Sequence, residues 1–188
     1  NNAVFSLPYN VALEEGYFKD EGVDVELIPA GSGRNRDKEV PPEPILDHTK
    51  VTSYGWHEGI EKGEYSMYRA CEWGQIRRTQ DSHEGARVIS KRAAVATQAL
   101  VVSGDSPYNI PSDLKDVTVG VNMHAGSHYV TLSLLEGYLP RNEIRPGHVG
   151  GPKQRLKFLE EGKIGAAALM EPWITVAVKR GHKIICPH

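Results

Sequence analysis

Cysteine is scarce in this chain: there are two, Cys71 and Cys186, far apart. That spacing is no disulfide framework, so two free thiols are expected, although the pair could bridge. Also missing is any run of roughly eighteen apolar residues, which excludes a membrane-spanning helix. An excess of one charge is missing too. The 22 Lys and Arg residues against 24 Asp and Glu leave a net charge of -2, so no global field attracts nucleic acid and no such partner is expected. The eight histidines, at 48, 57, 83, 124, 128, 148, 182 and 188, are scattered. His124 and His128 are four apart, but Gly126 interrupts a helix between them, so no metal site is expected. There is no phosphate-binding glycine loop and no serine nucleophile elbow, and no cofactor is expected. Repeats, low-complexity tracts and an N-terminal leader pattern are absent as well.

What is present is ordinary for a folded protein: 39% apolar and 24% charged residues, with 19 glycines and 12 prolines spread along the chain. Its 188 residues suffice for one large domain or two small lobes with a real core.

Residues 9–28 organise the beginning. Leu13, Tyr17 and Phe18 share one helical face, Asn10 can cap the start, and Glu14 and Glu15 suit the positive end of the dipole. Gly22 fits the left-handed position that ends a helix. Val23, Val25 and Leu27 then alternate with Asp24 and Glu26, the period of a half-buried strand. Residues 3–7 read as the end of an earlier strand, which makes a strand, helix, strand unit. Its central loop would lie at the carboxyl edge of a sheet, where ligands bind.

Residues 29–50 are irregular, and Pro41, Pro42 and Pro44 forbid a helix there. They are a surface excursion or a loop over a cleft. Strand-like stretches follow at 51–54, 65–68 and 87–89, a helical turn or two lies at 56–62, and 72–81 reads as helical at most in part. Residues 93–102 form an unbroken apolar strand. Beyond a loop at 103–111 and a capped turn at 112–114, strand and helix alternate. Strands are expected at 117–121, 148–149, 164–170 and 183–186, and helices at 126–137, 153–161 and 172–180. Val130, Leu134 and Tyr138 share one face of the first of these helices, and Leu156 and Leu159 face inward on the second. That alternation means an α/β lobe with a largely parallel sheet. The expected organisation is therefore lobe I over 1–102, incomplete and with an irregular insertion at 29–56, and lobe II over 103–188.

Several segments carry a resemblance. They are GYFKDEGVDVEL, IEKGEYSM, ALVVSGDSPYNIPSDLKDVTVGV, AGSHYVTLSLLEGY and LEEGKIGAAALMEPWITVA. In this order they resemble the periplasmic solute-binding proteins of the nitrate, sulfonate, taurine and thiamine-precursor class. The resemblance implies a type II periplasmic-binding-protein fold, α/β and two-lobed, each lobe a mainly parallel sheet flanked by helices. It implies capture of a small anionic or aromatic organic compound between the lobes, delivery to an ABC permease, and a periplasmic or membrane-tethered extracellular location. There are three departures. The 29–56 region is longer than the usual link, Ser66 and Met67 stand where an acidic residue is common, and the chain stops where the family returns to its first lobe. The early stop leads to the expectation that apolar surface on residues 10–20 and 95–102 is covered by self-association or a second chain.

The candidate ligand-binding residues are Tyr9 and Asn10 in the first lobe, Gly126, Ser127 and His128 at a helix start, and Glu171 and Trp173 around Pro172. Helix starts offer amides to an anion; the same hydroxyls and carboxylates can also simply cap their helices. Trp173 can stack on a ligand or fill the core. Trp56, His57, Glu58, Arg69, Cys71, Glu72, Trp73, Arg77 and Arg78 make the densest run of reactive types. Of these, Trp56 and Arg69 are assigned to ligand contact. Cys71 with His57 is the catalytic pair of an alternative reading, a cytoplasmic enzyme acting on a small aromatic acid or sulfinate. A few enzymes share the resembled fold, among them an aromatic sulfinate desulfinase. Its nucleophile lies in the loop after the first strand, where this chain has Ser6, Pro8 and Tyr9.

Overall fold

A computed structural model describes residues 7–28, 41–51, 59–60, 62–69, 71–81, 87–90 and 98–187. The chain divides into two compact units, Asn1–Glu39 and Val40–His188.

In the first unit the expected single helix is two: α1 (Leu7–Glu14) and α2 (Tyr17–Asp20). Gly16 separates them at φ 82°, a left-handed conformation that ends α1. Gly22 follows α2 at φ 69°, as its position after the helix foretold. Residues 23–28 are not a strand. Val25 and Leu27 are half-buried while Val23, Asp24, Glu26 and Ile28 are exposed, so the alternation holds only from 24 to 28, and no described residue forms a ladder with it. None of the residues of α1 is buried.

The second unit holds a five-stranded sheet. Its strands are β1 (Gln98–Val102), β2 (Thr118–Val121), β3 (Arg145–His148), β4 (Ala166–Met170) and β5 (Lys183–Pro187), in the spatial order β3-β2-β4-β1-β5. β2 is parallel to both β3 and β4, and β1 is antiparallel to β4 and to β5. Four strands therefore run one way and β1 runs against them, an α/β arrangement with a largely parallel sheet. Its helices are α3 (Glu72–Asp81), α4 (Gly126–Leu135), α5 (Pro152–Glu160) and α6 (Trp173–Lys179).

Continuous apolar runs form β1 and β4 because both faces of these strands are covered. Leu100, Val102, Val121 and Ala168 pack with Leu132 and Leu135 of α4 on one side. Ala99, Val101, Ala167 and Leu169 pack with Leu156 and Leu159 of α5 and with Ile174 and Ala177 of α6 on the other.

Four expectations need correction. Residues 98–102 were assigned to lobe I with an exposed apolar face, yet β1 sits inside this sheet with Val101 and Val102 fully buried. Residues 65–68 and 87–89 are not strands; β-branched and aromatic residues alone form no strand without a partner. Residues 72–81 are helical throughout, because Trp73, Ile76 and the long polar side chains tolerate a helix that the low apolar content obscured. The buried face of α4 is Ser127, His128, Thr131, Leu132 and Leu135, while Tyr138 is exposed.

Candidate functional site at the carboxyl edge of the sheet

Each of the parallel strands β2, β3 and β4 is followed by a helix, so α4, α5 and α6 all start at the carboxyl edge of the sheet. β2 and β4 are neighbours, but α4 leaves toward one face and α6 toward the other. That is a topological switch point, the place where open α/β sheets bind ligands. The β2–β4 ladder pairs Val119 with Ala166 and Gly120 with Ala167 and goes no further. Val121 and residues 168–170 continue beyond it toward the crevice. A Cβ at Gly120 would lie 2.5 Å from Ile164 Cδ1, a side-chain end that can shift, and in ordinary contact with Arg155 Cγ at 3.6 Å.

The loop from β2 into α4 is fixed by side chains that bond to its backbone. Ser127, 3% exposed, accepts the Asn122 amide on its hydroxyl at 2.9 Å. Its carbonyl in turn accepts the Thr131 hydroxyl at 2.7 Å. His124 lies at φ 61°, a left-handed value that costs a side-chain-bearing residue about 1–3 kcal/mol. Its amide donates to His128 Nδ1 at 3.2 Å, and its own ring contacts the His48 carbonyl at 2.9 Å. Met123 donates its amide to His148 Nδ1 at 3.1 Å. Burial, reinforced by the charges of His124, Arg141 and His48, pushes His128 down to about 4. It is neutral near pH 7, so its Nδ1 is free to accept and its Nε2 carries the proton.

The structure brings Cys71 to the same helix start. Its Sγ accepts the Gly126 amide at 3.2 Å and the Gly74 amide at 3.3 Å, so one sulfur caps both α3 and α4. Trp73 stacks on Tyr129 at 5.4 Å and joins the first turns of the two helices. Two stretches read as separate candidates thus meet in space. Both cysteines are free thiols, Cys71 exposed and Cys186 buried.

The other candidates are placed less closely. Glu171 accepts the amide and hydroxyl of Thr175 at 3.2 and 2.8 Å, which caps α6. Trp173 is half-buried and packs on the α5–α6 side of the core. Arg69 is exposed, two residues before Cys71. Tyr9 and Asn10 lie inside α1, not at its start, so Asn10 caps nothing there. Trp56 and His57 lie outside the described residues. Among the described residues no group of three His, Cys, Asp or Glu side chains is arranged to hold a metal. No described helix is long and apolar enough to cross a membrane.

Arg155 was not singled out in the sequence. It is 2% exposed, its guanidinium donates to the Ala168 carbonyl, and its Nε has no partner. Burial lowers it to about 9, which leaves it charged at neutral pH. The signal was available: Arg155 stands three residues before Phe158 and four before Leu159, on the inward face of α5.

Solved structures with TM-scores above 0.5 share this architecture. The putative periplasmic sulfonate-binding protein SsuA of a sulfonate ABC transporter from Methylobacillus flagellatus KT aligns with 97% of this chain and 49% of its own, at TM-score 0.57 and 17% identity. An ancestral arginine-binding protein bound to arginine aligns over 96% of this chain and 69% of its own, at TM-score 0.56 and 18% identity. The periplasmic aliphatic sulphonate binding protein SsuA from Escherichia coli is 22% identical over 48% of this chain, with TM-score 0.43, and the chain spans 30% of that protein's length. The fold is of the type II periplasmic-binding-protein class. Within it, residues 5–43 match the family model described as NMT1/THI5 like, in line with the solute-binding resemblance of the sequence motifs. No curated protein sequence matches the chain.

Proposed function

We propose that the chain is a solute-binding module that captures a small anionic or aromatic organic compound for import through an ABC permease, in the periplasm or on the outer face of a membrane. The observation that carries this reading is the switch point between β2 and β4, where α4, α5 and α6 begin. Backbone amides at such starts suit an anionic group; at α4 the Gly126 amide is engaged by Cys71 Sγ. The loop at 122–128 is already held rigid by Ser127 and His128, so little ordering is left to oppose binding. Gly126, Ser127 and His128 form the floor of the proposed site, with Glu171 and Trp173 at its side and Arg69 as a further contact. Partnering by a second chain is proposed at α1, where Leu7, Val11 and Leu13 are exposed.

The test is calorimetric titration of the purified chain with sulfonates, carboxylates and aromatic acids, each followed by chromatography of the recovered solute. Saturable binding with the solute returned unchanged is expected. Chemical conversion of the solute would overturn the reading in favour of the enzyme, whose Cys71 sulfur is here a backbone acceptor.

A further inference from the structure

We propose that Arg155 is the fixed positive charge that makes the β2–β4 crevice select an anion, a deepening that rests on the solute-binding reading above. Three observations converge on it. Arg155 lies in the first turn of α5, whose start is at the carboxyl edge of the sheet, so a cation has been placed at the positive end of a helix. No carboxylate among the described residues balances it, and its Nε has no acceptor. Its side chain crosses Gly120, with Cγ 3.6 Å from where a Cβ would stand, and reaches the Ala168 carbonyl, the first residue of β4 beyond the last β2–β4 pair. The guanidinium is therefore lodged where the two strands part.

What the fold itself gains from this arrangement is the bond to the Ala168 carbonyl. Burying an uncompensated charge is costly, and an apolar side chain of similar volume normally does better. The same burial leaves the charge much less screened by salt than a surface charge would be. An anionic head group, a sulfonate, carboxylate or phosphate, supplies the missing countercharge. The unpartnered Nε–H marks the side from which an acceptor is lacking. Arg155 works through the field of the crevice and is a specificity residue.

The experiment compares matched solutes of nearly equal shape, methanesulfonate with dimethyl sulfone and benzoate with benzamide, by titration calorimetry on the whole chain. The unsubstituted chain is expected to prefer the charged member of at least one pair by about tenfold or more. In Arg155→Met that preference is expected to fall to about threefold or less. Arg155→Lys is expected to retain most of it. A preference unchanged in Arg155→Met overturns the proposal. If neither variant folds, the unsubstituted chain decides, and equal binding of charged and uncharged members overturns it. Binding of uncharged solutes alone defeats the anion proposal but leaves the solute-binding reading standing. No binding of any solute removes both.

Discussion

The sulfur of Cys71 accepts the amide of Gly126 at 3.2 Å across fifty-five residues of sequence, and that of Gly74 at 3.3 Å. One side chain thus ties the starts of two helices. Cys71→Ala leaves both amides without this acceptor and is expected to cost about 1–2 kcal/mol in urea unfolding. Cys71→Ser offers a smaller acceptor and is expected to recover part of the loss. Under native conditions iodoacetamide is expected to label Cys71 well before Cys186, since Cys186 is 5% exposed and burial raises its thiol. Mass spectrometry of the labelled peptides checks the order.

Ser127 holds the turn that leads into α4. Its replacement by alanine removes the acceptor of the Asn122 amide in a position 3% exposed. Ser127→Ala is expected to lower stability by about 1–3 kcal/mol and to raise hydrogen exchange at Asn122 selectively. Unchanged exchange there would show that the hydroxyl does not fix the turn.

The stability of the fold should depend on pH through His128. Its folded value of about 4 lies below the ordinary 6.5, so the unfolded chain binds the proton more readily. The contribution is intact above about pH 6.5 and is lost as pH falls toward 4. Between about pH 7.5 and pH 5 the loss is expected to reach up to about 2 kcal/mol. His128→Asn keeps an acceptor for the His124 amide without titrating. Its unfolding midpoint is expected to vary less over that range, and an identical slope in both proteins would exclude His128 as the source.

Two glycines separate steric from conformational cost. A Cβ on Gly104 would stand 2.1 Å from the Gly181 carbonyl oxygen, a backbone atom that cannot swing aside. Gly104→Ala is expected to cost about 3 kcal/mol. Gly162 meets nothing within 4 Å but has φ 70°, so Gly162→Ala is expected to cost about 1 kcal/mol. Denaturant midpoints at equal slopes measure both.

Much of the second unit was legible because its periods are unambiguous. Residues 117–121, 164–170 and 183–186 are short apolar runs between glycine and proline signals, and β2, β4 and β5 fall on them. Leu156 and Leu159 face inward as their spacing requires. The α4 face was misread because Ser127, His128 and Thr131 are polar, and their burial depends on partners at Asn122, His124 and the Ser127 carbonyl that hydropathy does not register. The placement of β1 was missed for another reason. Alternation and apolarity state that a strand is buried but not against what, and β1 pairs with β4 and β5, which lie far along the chain. Within the site, the helix start at Gly126 was readable from composition, whereas the approach of Cys71 to it was not.

β1 enters this sheet and β5 ends it as direct neighbours, with Ala99 opposite Pro187 and Val102 opposite Lys183. Everything from β2 to α6 is therefore a closed excursion that departs and returns at a single seam. Its covalent attachment is two adjacent strand ends, and its further ties are the contacts of Cys71 and Trp73 with α4 and the bridge of Ile45 to His148. It is suited to transplantation between proteins as a cassette, because domains whose termini lie together tolerate insertion. Swapping 98–187 between relatives of this architecture would exchange the sheet and the helix starts at its carboxyl edge in one step while leaving the rest of each host's connectivity unchanged.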